Sequence, residues 1–393
     1  MRRRDARHPA PPPRGPHGYR LHVDGGDFIP AMLGAIESAS EHVLLEMYLV
    51  RSGATAERFI AALAAAARRG VAVRVLLDGF GGQGLEPRDR ERLADAGVHL
   101  AVYNPIGLSR WRASLFRDHR KLLVVDGRIA FVGGMGITDE FDPGARDVAS
   151  PWHEVMLSLT GPCIEDWQHL FVHCWNAWSP QPLVLPSTIA SGAADADPPD
   201  GRVLGDTGSG GQAVMRGVLA EIGKARERVW VATAYFAPTR RLRRALKKAL
   251  RRGVDVRLLL AGPCNDHPMV WHAGQRFYGR LLRGGVRIFE YEAGFLHAKM
   301  VLCDDWASIG SSNLDHWTLR WNLEANQAVM DPAFASRLAD VFQADFAQST
   351  EWTIAAWQRR GRGQRLLERL LGAAADLLVQ WSYRRALRRP DSW

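Results

Sequence analysis

Apolar and polar positions along the chain follow two periods in turn, and the same succession occurs twice. Residues 54–68 are rich in Ala and end at Arg68-Arg69-Gly70, after which Val71-Ala72-Val73-Arg74-Val75-Leu76-Leu77 is almost continuously apolar. Residues 240–252 place Leu242, Leu246 and Leu250 on one helical face among Arg and Lys. They close on Arg251-Arg252-Gly253 and lead into Val254-Asp255-Val256-Arg257-Leu258-Leu259-Leu260. A helix stopped by glycine and followed by a buried strand is the unit of a parallel α/β sheet. Further strands match in pairs: residues 43–47 with 229–233, 98–103 with 286–291, and 122–125 with 300–303. The pattern predicts two α/β domains related by internal duplication. A duplicated fold has a pseudo-two-fold interface, where equivalent motifs can meet.

Breakers divide the chain. Pro9, Pro11, Pro12, Pro13 and Pro16 predict a disordered basic segment over residues 1–18. Pro180, Pro182, Pro186, Pro198 and Pro199 predict a linker over 179–211. The expected domains are therefore 19–178 and 212–350, followed by a basic C-terminal segment, 351–393. With 393 residues, 47% hydrophobic and 24% charged, the chain can bury two ordinary cores. Cys163, Cys174, Cys264 and Cys303 lack paired spacing, which argues against a disulfide framework or a four-cysteine zinc site. Prolines stand where a signal peptide needs an apolar stretch, and no uncharged run approaches the ~20 residues of a membrane span. The expected location is cytoplasmic.

Charge placement refines this. Residues 1–18 carry +4 and residues 359–393 carry +6, which against a total of +9 leaves −1 for the body between them. A nucleic-acid enzyme spreads positive charge along a groove in its folded body, so no nucleic-acid partner is expected. Basic ends suit attraction to an anionic membrane surface, here the inner face of the cell membrane; solvated tails from an Arg-rich genome are the bland alternative.

The candidate chemistry is duplicated as well. His119-Arg120-Lys121 opens the strand that ends at Asp126, and His297-Ala298-Lys299 opens the strand that ends at Asp304. On a strand, His and Lys two apart point to one face. The aspartates lie an odd number of residues beyond the lysines, which suits a structural role better than a nucleophilic one. An imidazole titrating near pH ~6.5 can attack a phosphodiester phosphorus while a second protonates the leaving oxygen. Two ammonium groups offset the developing charge without a metal. Gly133-Gly134-Met135-Gly136 and Gly310-Ser311-Ser312-Asn313 follow, with backbone N–H groups, Ser312 and Asn313 as candidate phosphate donors.

These paired motifs resemble the phospholipase D superfamily. The stretch from Leu296 through Asp315, with Asn322-Leu323-Glu324-Ala325-Asn326, resembles the bacterial cardiolipin synthases of the branch without N-terminal transmembrane helices. Leu44-Leu45-Glu46, Ala234-Tyr235-Phe236-Ala237-Pro238 and residues 285–291 agree, and the resemblance covers roughly residues 19–350. It implies two phospholipase D-like domains with one active site at their interface, and transfer from phosphatidylglycerol to a lipid alcohol through a phosphohistidine. It needs no cofactor or metal. It implies His119 as nucleophile and His297 as acid/base, although pseudo-symmetry permits the reverse, with Glu154 and Glu324 downstream of the two motifs orienting the histidines. Gly136 departs from the family by standing where Asn313 has its match. Hydrolysis of a phospholipid, cleavage of a nucleic-acid diester, and lipid binding without catalysis are the alternatives.

Four further segments carry two readings each. Leu366, Leu367, Leu370, Leu371, Leu377, Leu378 and Trp381 line one side of a helix flanked by arginines, either at a membrane interface or docked on the protein. Residues 106–117, with Trp111, Leu115 and Phe116 among arginines, either admit lipid chains or form a buried connector. The basic run over 240–252 either touches head groups or is simply solvated. His169 and His173 beside Cys174 have metal-like spacing, but the surrounding tryptophans favour a packed helix.

Overall fold

The computed structural model describes residues 11–107, 116–146, 148, 150–186, 200–205, 212–315 and 321–361. One sheet contains β1 (Gly18–Val23), β2 (His42–Met47), β3 (Ala72–Asp78) and β4 (His99–Tyr103). After the short β5 (Arg117–Asp118) it adds β6 (Lys121–Val125), β7 (Ile129–Val132) and β8 (Val155–Thr160). Its spatial order is β1-β8-β7-β6-β2-β3-β4. The second sheet contains β9 (Gly201–Gly205), β10 (Arg228–Thr233), β11 (Asp255–Ala261), β12 (Arg287–Tyr291), β13 (Met300–Cys303) and β14 (Trp306–Gly310). After the short β15 (Asn322–Leu323) come β16 (Ala325–Met330) and β17 (Ser349–Trp352). Its order, β17-β12-β11-β10-β13-β14-β16-β9, is that of the first sheet taken from the other edge, with β17 added beyond β12.

Each of the seven strands of the first sheet therefore has a counterpart in the second. The sheets are mixed rather than parallel, however. Only β2-β3-β4 and β10-β11-β12 run parallel, and the remaining neighbours in each sheet are antiparallel. The helix–strand signal was confined to the two stretches that need a crossover; hairpin-connected strands carry no such signature.

Alternation along β2 sorts its side chains into two cores. Val43, Leu45 and Met47 face the outer helices Gly25–Glu37 and Ala54–Arg68, whereas Leu44 joins a core shared with the second domain. That shared core is filled by the helices Cys163–Trp178 and Pro332–Ala347, with Trp167, Phe171 and Phe342 fully buried. Burying each such side chain contributes about 2–3 kcal/mol. Trp167 Nε1 donates to Gln327 Oε1 across the interface at 2.9 Å. Gly70 and Gly253 end their helices with φ of 91° and 86°, the left-handed conformation their pattern implied.

Three expected boundaries shift. β9 lies inside the stretch read as a linker, because a five-residue edge strand between prolines gives no clear period. Arg14, expected to be disordered, forms a double hydrogen bond with Asp166 at 2.6 and 2.8 Å, and His17 meets Asp200 at 2.5 Å. β17 and the helix Ile354–Arg359, which buries Trp357, belong to the second domain rather than to a tail. Among the described residues no helix is long and apolar enough to cross a membrane.

Candidate active site

Two short backbone ribbons join the domains, and they build the site. In one, β5 runs parallel to β15, with Leu323 opposite Asp118, and the His119 N–H donates to Leu323 O at 3.0 Å. In the other, the His153 N–H donates to Phe295 O at 2.9 Å and the His297 N–H to His153 O at 2.8 Å. The residue after Leu323 is Glu324, and the residue after His153 is Glu154. Each ribbon thus carries a glutamate of one domain to the histidine of the other.

The pairing is accordingly exchanged between the repeats. His119 Nδ1 lies 2.9 Å from Glu324 Oε1, and His297 Nδ1 lies 2.7 Å from Glu154 Oε2. At His297 the carboxylate accepts from Nδ1–H and leaves Nε2 as the nitrogen with the free lone pair, and at His119 Glu324 stands on the same side of the ring. Lys121 Nζ donates to His119 O at 2.7 Å, and Lys299 Nζ donates to His297 O and lies 3.6 Å from Glu154. Lys299 Nζ also lies 2.8 Å from His297 Nδ1, which cannot both donate to Glu154 and accept from the ammonium. The shorter contact to the charged carboxylate sets the tautomer.

Six ionisable groups share this dry space, and each is displaced from its usual value. Burial pushes Lys121 down to about 7 and Lys299 to about 8, opposed most strongly by Glu324 and Glu154 respectively. Burial pushes Glu154 up to about 7 and Glu324 to about 8, with Lys299 and Lys121 opposing. Both histidines are held well below their usual value, by burial first and by the two lysines next. Burial and the neighbouring ammonium groups thus favour the uncharged form of both rings.

Aromatic rings wall the site. Tyr48 lies edge-on to His119 at 4.6 Å, with Lys121 Nζ 5.0 Å from its centroid. Phe141, Trp152 and Phe295 surround His297 at 5.3 to 5.7 Å. The glycine-containing turns hold the glutamates. Ser311 Oγ donates to Glu324, and at the equivalent Gly134 a Cβ would lie 2.2 Å from Glu154 Oε2. Ser312 and Asn313 are buried behind that turn. The Ser312 N–H donates to Asn326 Oδ1 at 3.2 Å, and Thr233 Oγ1 donates to Asn313 Oδ1 at 3.3 Å.

Asp126 and Asp304 are not with the others; they occupy the far ends of β6 and β13. Asp126 accepts from the backbone N–H groups of Ser40, Glu41 and His42 at 2.8–2.9 Å, and Asp304 from those of Arg226, Glu227 and Arg228 at 2.8–3.0 Å. They clamp the turns entering β2 and β10. Both therefore stand apart from the histidines and lysines, on turn backbone.

Other residues escaped singling out. Arg120, inside the first motif, lies 2.7 Å from Glu46 and 3.2 Å from Asp118, and all three are buried. Burial pushes Glu46 well up, while Arg120 holds Asp118 below its usual value against its own burial. Cys174 Sγ also approaches Asp118 at 3.7 Å. Glu46, Asp118 and Cys174 stand at ligand-like spacing, but the positive charge there is the Arg120 guanidinium. His169 instead faces solvent, so the His169–Cys174 pattern does not converge. His153 sits between Asp24 at 2.8 Å and Asp345 of the second domain at 3.1 Å; against burial, they raise it to about 10. In the helix Arg240–Arg251, Leu242, Leu246 and Ala249 are buried and the basic side faces out. Most of the stretch over 106–117, and all of the stretch over 364–388 expected to form an apolar-faced helix, lie outside the described residues.

A duplicated α/β fold whose paired His-x-Lys motifs meet at the domain interface defines a phospholipase D-type enzyme. Residues 32–141 and 218–346 match a family model described as "Cardiolipin synthase, PLD-like domain". Cardiolipin synthase A of Pseudomonas aeruginosa PAO1 is 35% identical over 349 residues, 85% of this chain and 68% of the relative. Cardiolipin synthase 2 of Bacillus anthracis is 31% identical over 363 residues, 91% of this chain and 70% of the relative. The crystal structure of phosphatidylserine synthase from Haemophilus influenzae shares the fold, with a TM-score of 0.70 at 13% identity over 92% of this chain and 93% of that one. The chain belongs to the cardiolipin synthase family of the phospholipase D superfamily, and it is a phosphatidyltransferase of that type.

Proposed function

We propose that the chain makes cardiolipin by moving a phosphatidyl group from phosphatidylglycerol to the hydroxyl of a second lipid, through a phosphohistidine on His119. The supporting observation is the exchanged pairing of the histidines with Glu324 and Glu154, which sets a carboxylate beside Nδ1 of each ring. The neutral His119 Nε2 attacks phosphorus as the bond to the glycerol oxygen breaks, and His297 gives that oxygen its proton. His297, now unprotonated, takes the proton of the incoming hydroxyl; that oxygen attacks phosphorus and the P–N bond breaks. Lys121 and Lys299 hold the non-bridging oxygens. A phosphodiester between them brings the negative charge that lets His297 carry a proton despite its neighbours. Glu324 and Glu154 fix the tautomers and offset the imidazolium each partner passes through. Asp126 and Asp304 act on the fold alone.

Its place of work in this reading is the inner face of the cell membrane, as a peripheral protein drawn to anionic lipid by its basic ends. The test is purified protein on phosphatidylglycerol vesicles, with and without EDTA, beside His119→Ala and His297→Ala. Cardiolipin formed in EDTA by the parent and by neither variant is the expected result. Phosphatidic acid as sole product makes the protein a hydrolase, and cleavage of single-stranded DNA with inert lipid refutes the lipid reading. Acid-stable phosphate retained on the protein would count against a phosphohistidine, which acid hydrolyses.

A further inference from the structure

We propose that the rim carrying Phe80 and Ile106 in the first domain and Met269 and Val270 in the second inserts into a lipid bilayer, setting the mouth of the active site against the membrane. This rests on the lipid-substrate reading above and adds which face meets the lipid. Phe80 is 56% exposed, Ile106 48% and Met269 68%. Single exposed apolar residues are ordinary, but these fall at related positions. Phe80 follows β3 and Met269-Val270 follow β11, its counterpart; Ile106 follows β4. The C-terminal ends of these strands form the same edge as the catalytic lysines, since Lys121 lies opposite Met47 at the end of β2 and Met300, next to Lys299, opposite Ala232 near the end of β10.

The turn carrying Phe80 and the start of the helix Pro268–Gln275, which carries Met269 and Val270, are both tied to the site. The Phe80 N–H donates to Asp78 Oδ1 at 2.8 Å, and Asp78 Oδ2 accepts from the N–H of Asp118, the residue before His119, at 2.9 Å. On the other side Tyr235 donates its hydroxyl to Asp266 at 2.7 Å, three residues before Met269, and its ring stands 6.5 Å from Phe295, which borders His297. Each apolar segment is thus linked to a histidine, through Asp78 and Asp118 on one side and through Tyr235 and Phe295 on the other. The helix Arg240–Arg251 starts on this edge with Arg240 and Arg241 exposed, which gives the rim a cationic fringe. Apolar tips beside cationic side chains suit a surface with anionic head groups over acyl chains. A phosphatidyl group can then rise from the bilayer to the lysines without leaving it entirely.

Cys264 provides a built-in reporter, as the exposed cysteine on this loop; Cys163, Cys174 and Cys303 are buried. The full chain is labelled there with an environment-sensitive fluorophore and mixed with vesicles of phosphatidylcholine and phosphatidylglycerol. The control, Cys264→Ser with Arg128→Cys, places the label on the turn at the opposite end of the strands. The expected result is a blue shift and a several-fold gain in emission at position 264 and none at 128. Phe80→Ser with Met269→Ser should lower vesicle partitioning about tenfold in flotation, a loss of ~1.4 kcal/mol, with the thermal midpoint kept. No shift at 264, an equal shift at 128, or undiminished flotation of the double variant overturns the proposal. So does a concentration-dependent blue shift without vesicles, which would make the rim a contact between copies. These readouts follow binding rather than turnover, so failure of the transferase reading is seen separately.

Discussion

Arg120 offers a test in which the protein carries its own control. The guanidinium is buried between Glu46 and Asp118, each at most 2% exposed, and the equivalent positions of the second repeat hold Ala298, Ala232 and Leu296. One repeat thus supports its His-x-Lys strand with charge and the other with apolar packing, on the same backbone. Removing one member of a buried charged set leaves the rest uncompensated and costs about 3–5 kcal/mol. Arg120→Met should lose that much in urea denaturation, and about 10 °C in thermal midpoint at ~2–4 °C per kcal/mol for a domain of this size. Replacing the whole set, with Glu46→Leu, Asp118→Leu and Arg120→Met, removes the desolvated charges together and should lie within about 2 kcal/mol of the parent. The triple variant should therefore be more stable than the single one. If Arg120→Met costs under ~1 kcal/mol, or the triple variant is the weaker, the reasoning is wrong.

Other outcomes follow from the same geometry. His153 is raised to about 10, so the stability it contributes is complete below the ordinary histidine value near 6.5 and is lost as pH rises toward 10. Stability profiles should show a fall of at most about 5 kcal/mol across that window, beyond the common trend, and His153→Gln should abolish it. Gly134→Ala puts a methyl 2.2 Å from Glu154 Oε2 and should reduce turnover by about 10–100-fold while leaving the fold intact, judged by circular dichroism. Asp126→Ala and Asp304→Ala should each cost about 1–3 kcal/mol through lost turn hydrogen bonds, with kcat little changed at low temperature. Both carboxyls are held below their usual range, by backbone N–H groups that outweigh burial. That share of stability is present above the ordinary aspartate value and disappears as pH falls through the lowered one, which acid titration of the variants checks.

Much of this architecture was legible in one dimension because it was written twice. Helix–glycine–strand units with a common spacing implied the duplication, and two His-x-Lys pairs at equivalent points implied one site shared by two domains. What lacked a period was missed. β9 is short and sits between prolines, and Arg14 and His17 owe their order to partners far along the chain, Asp166 and Gly201 for the one and Asp200 and Cys163 for the other. Glu46, in a segment that agrees with the family resemblance, gave no sign that it faces Arg120, since partners across a sheet are set by register.

The two histidines and two lysines could be taken from the chain alone, because residue type and repeat spacing are local properties, and the two glutamates came from the family resemblance. Which glutamate serves which histidine could not. Sequence order assigns Glu154 to the repeat of His119 and Glu324 to that of His297, whereas the interdomain ribbons exchange them. Only the docking of one sheet against the other brings Leu323 to Asp118 and His153 to Leu296, and with them each carboxylate to its imidazole. The same docking removes water from the six charges and moves their proton affinities, because desolvation belongs to the assembled interface and to no segment of it.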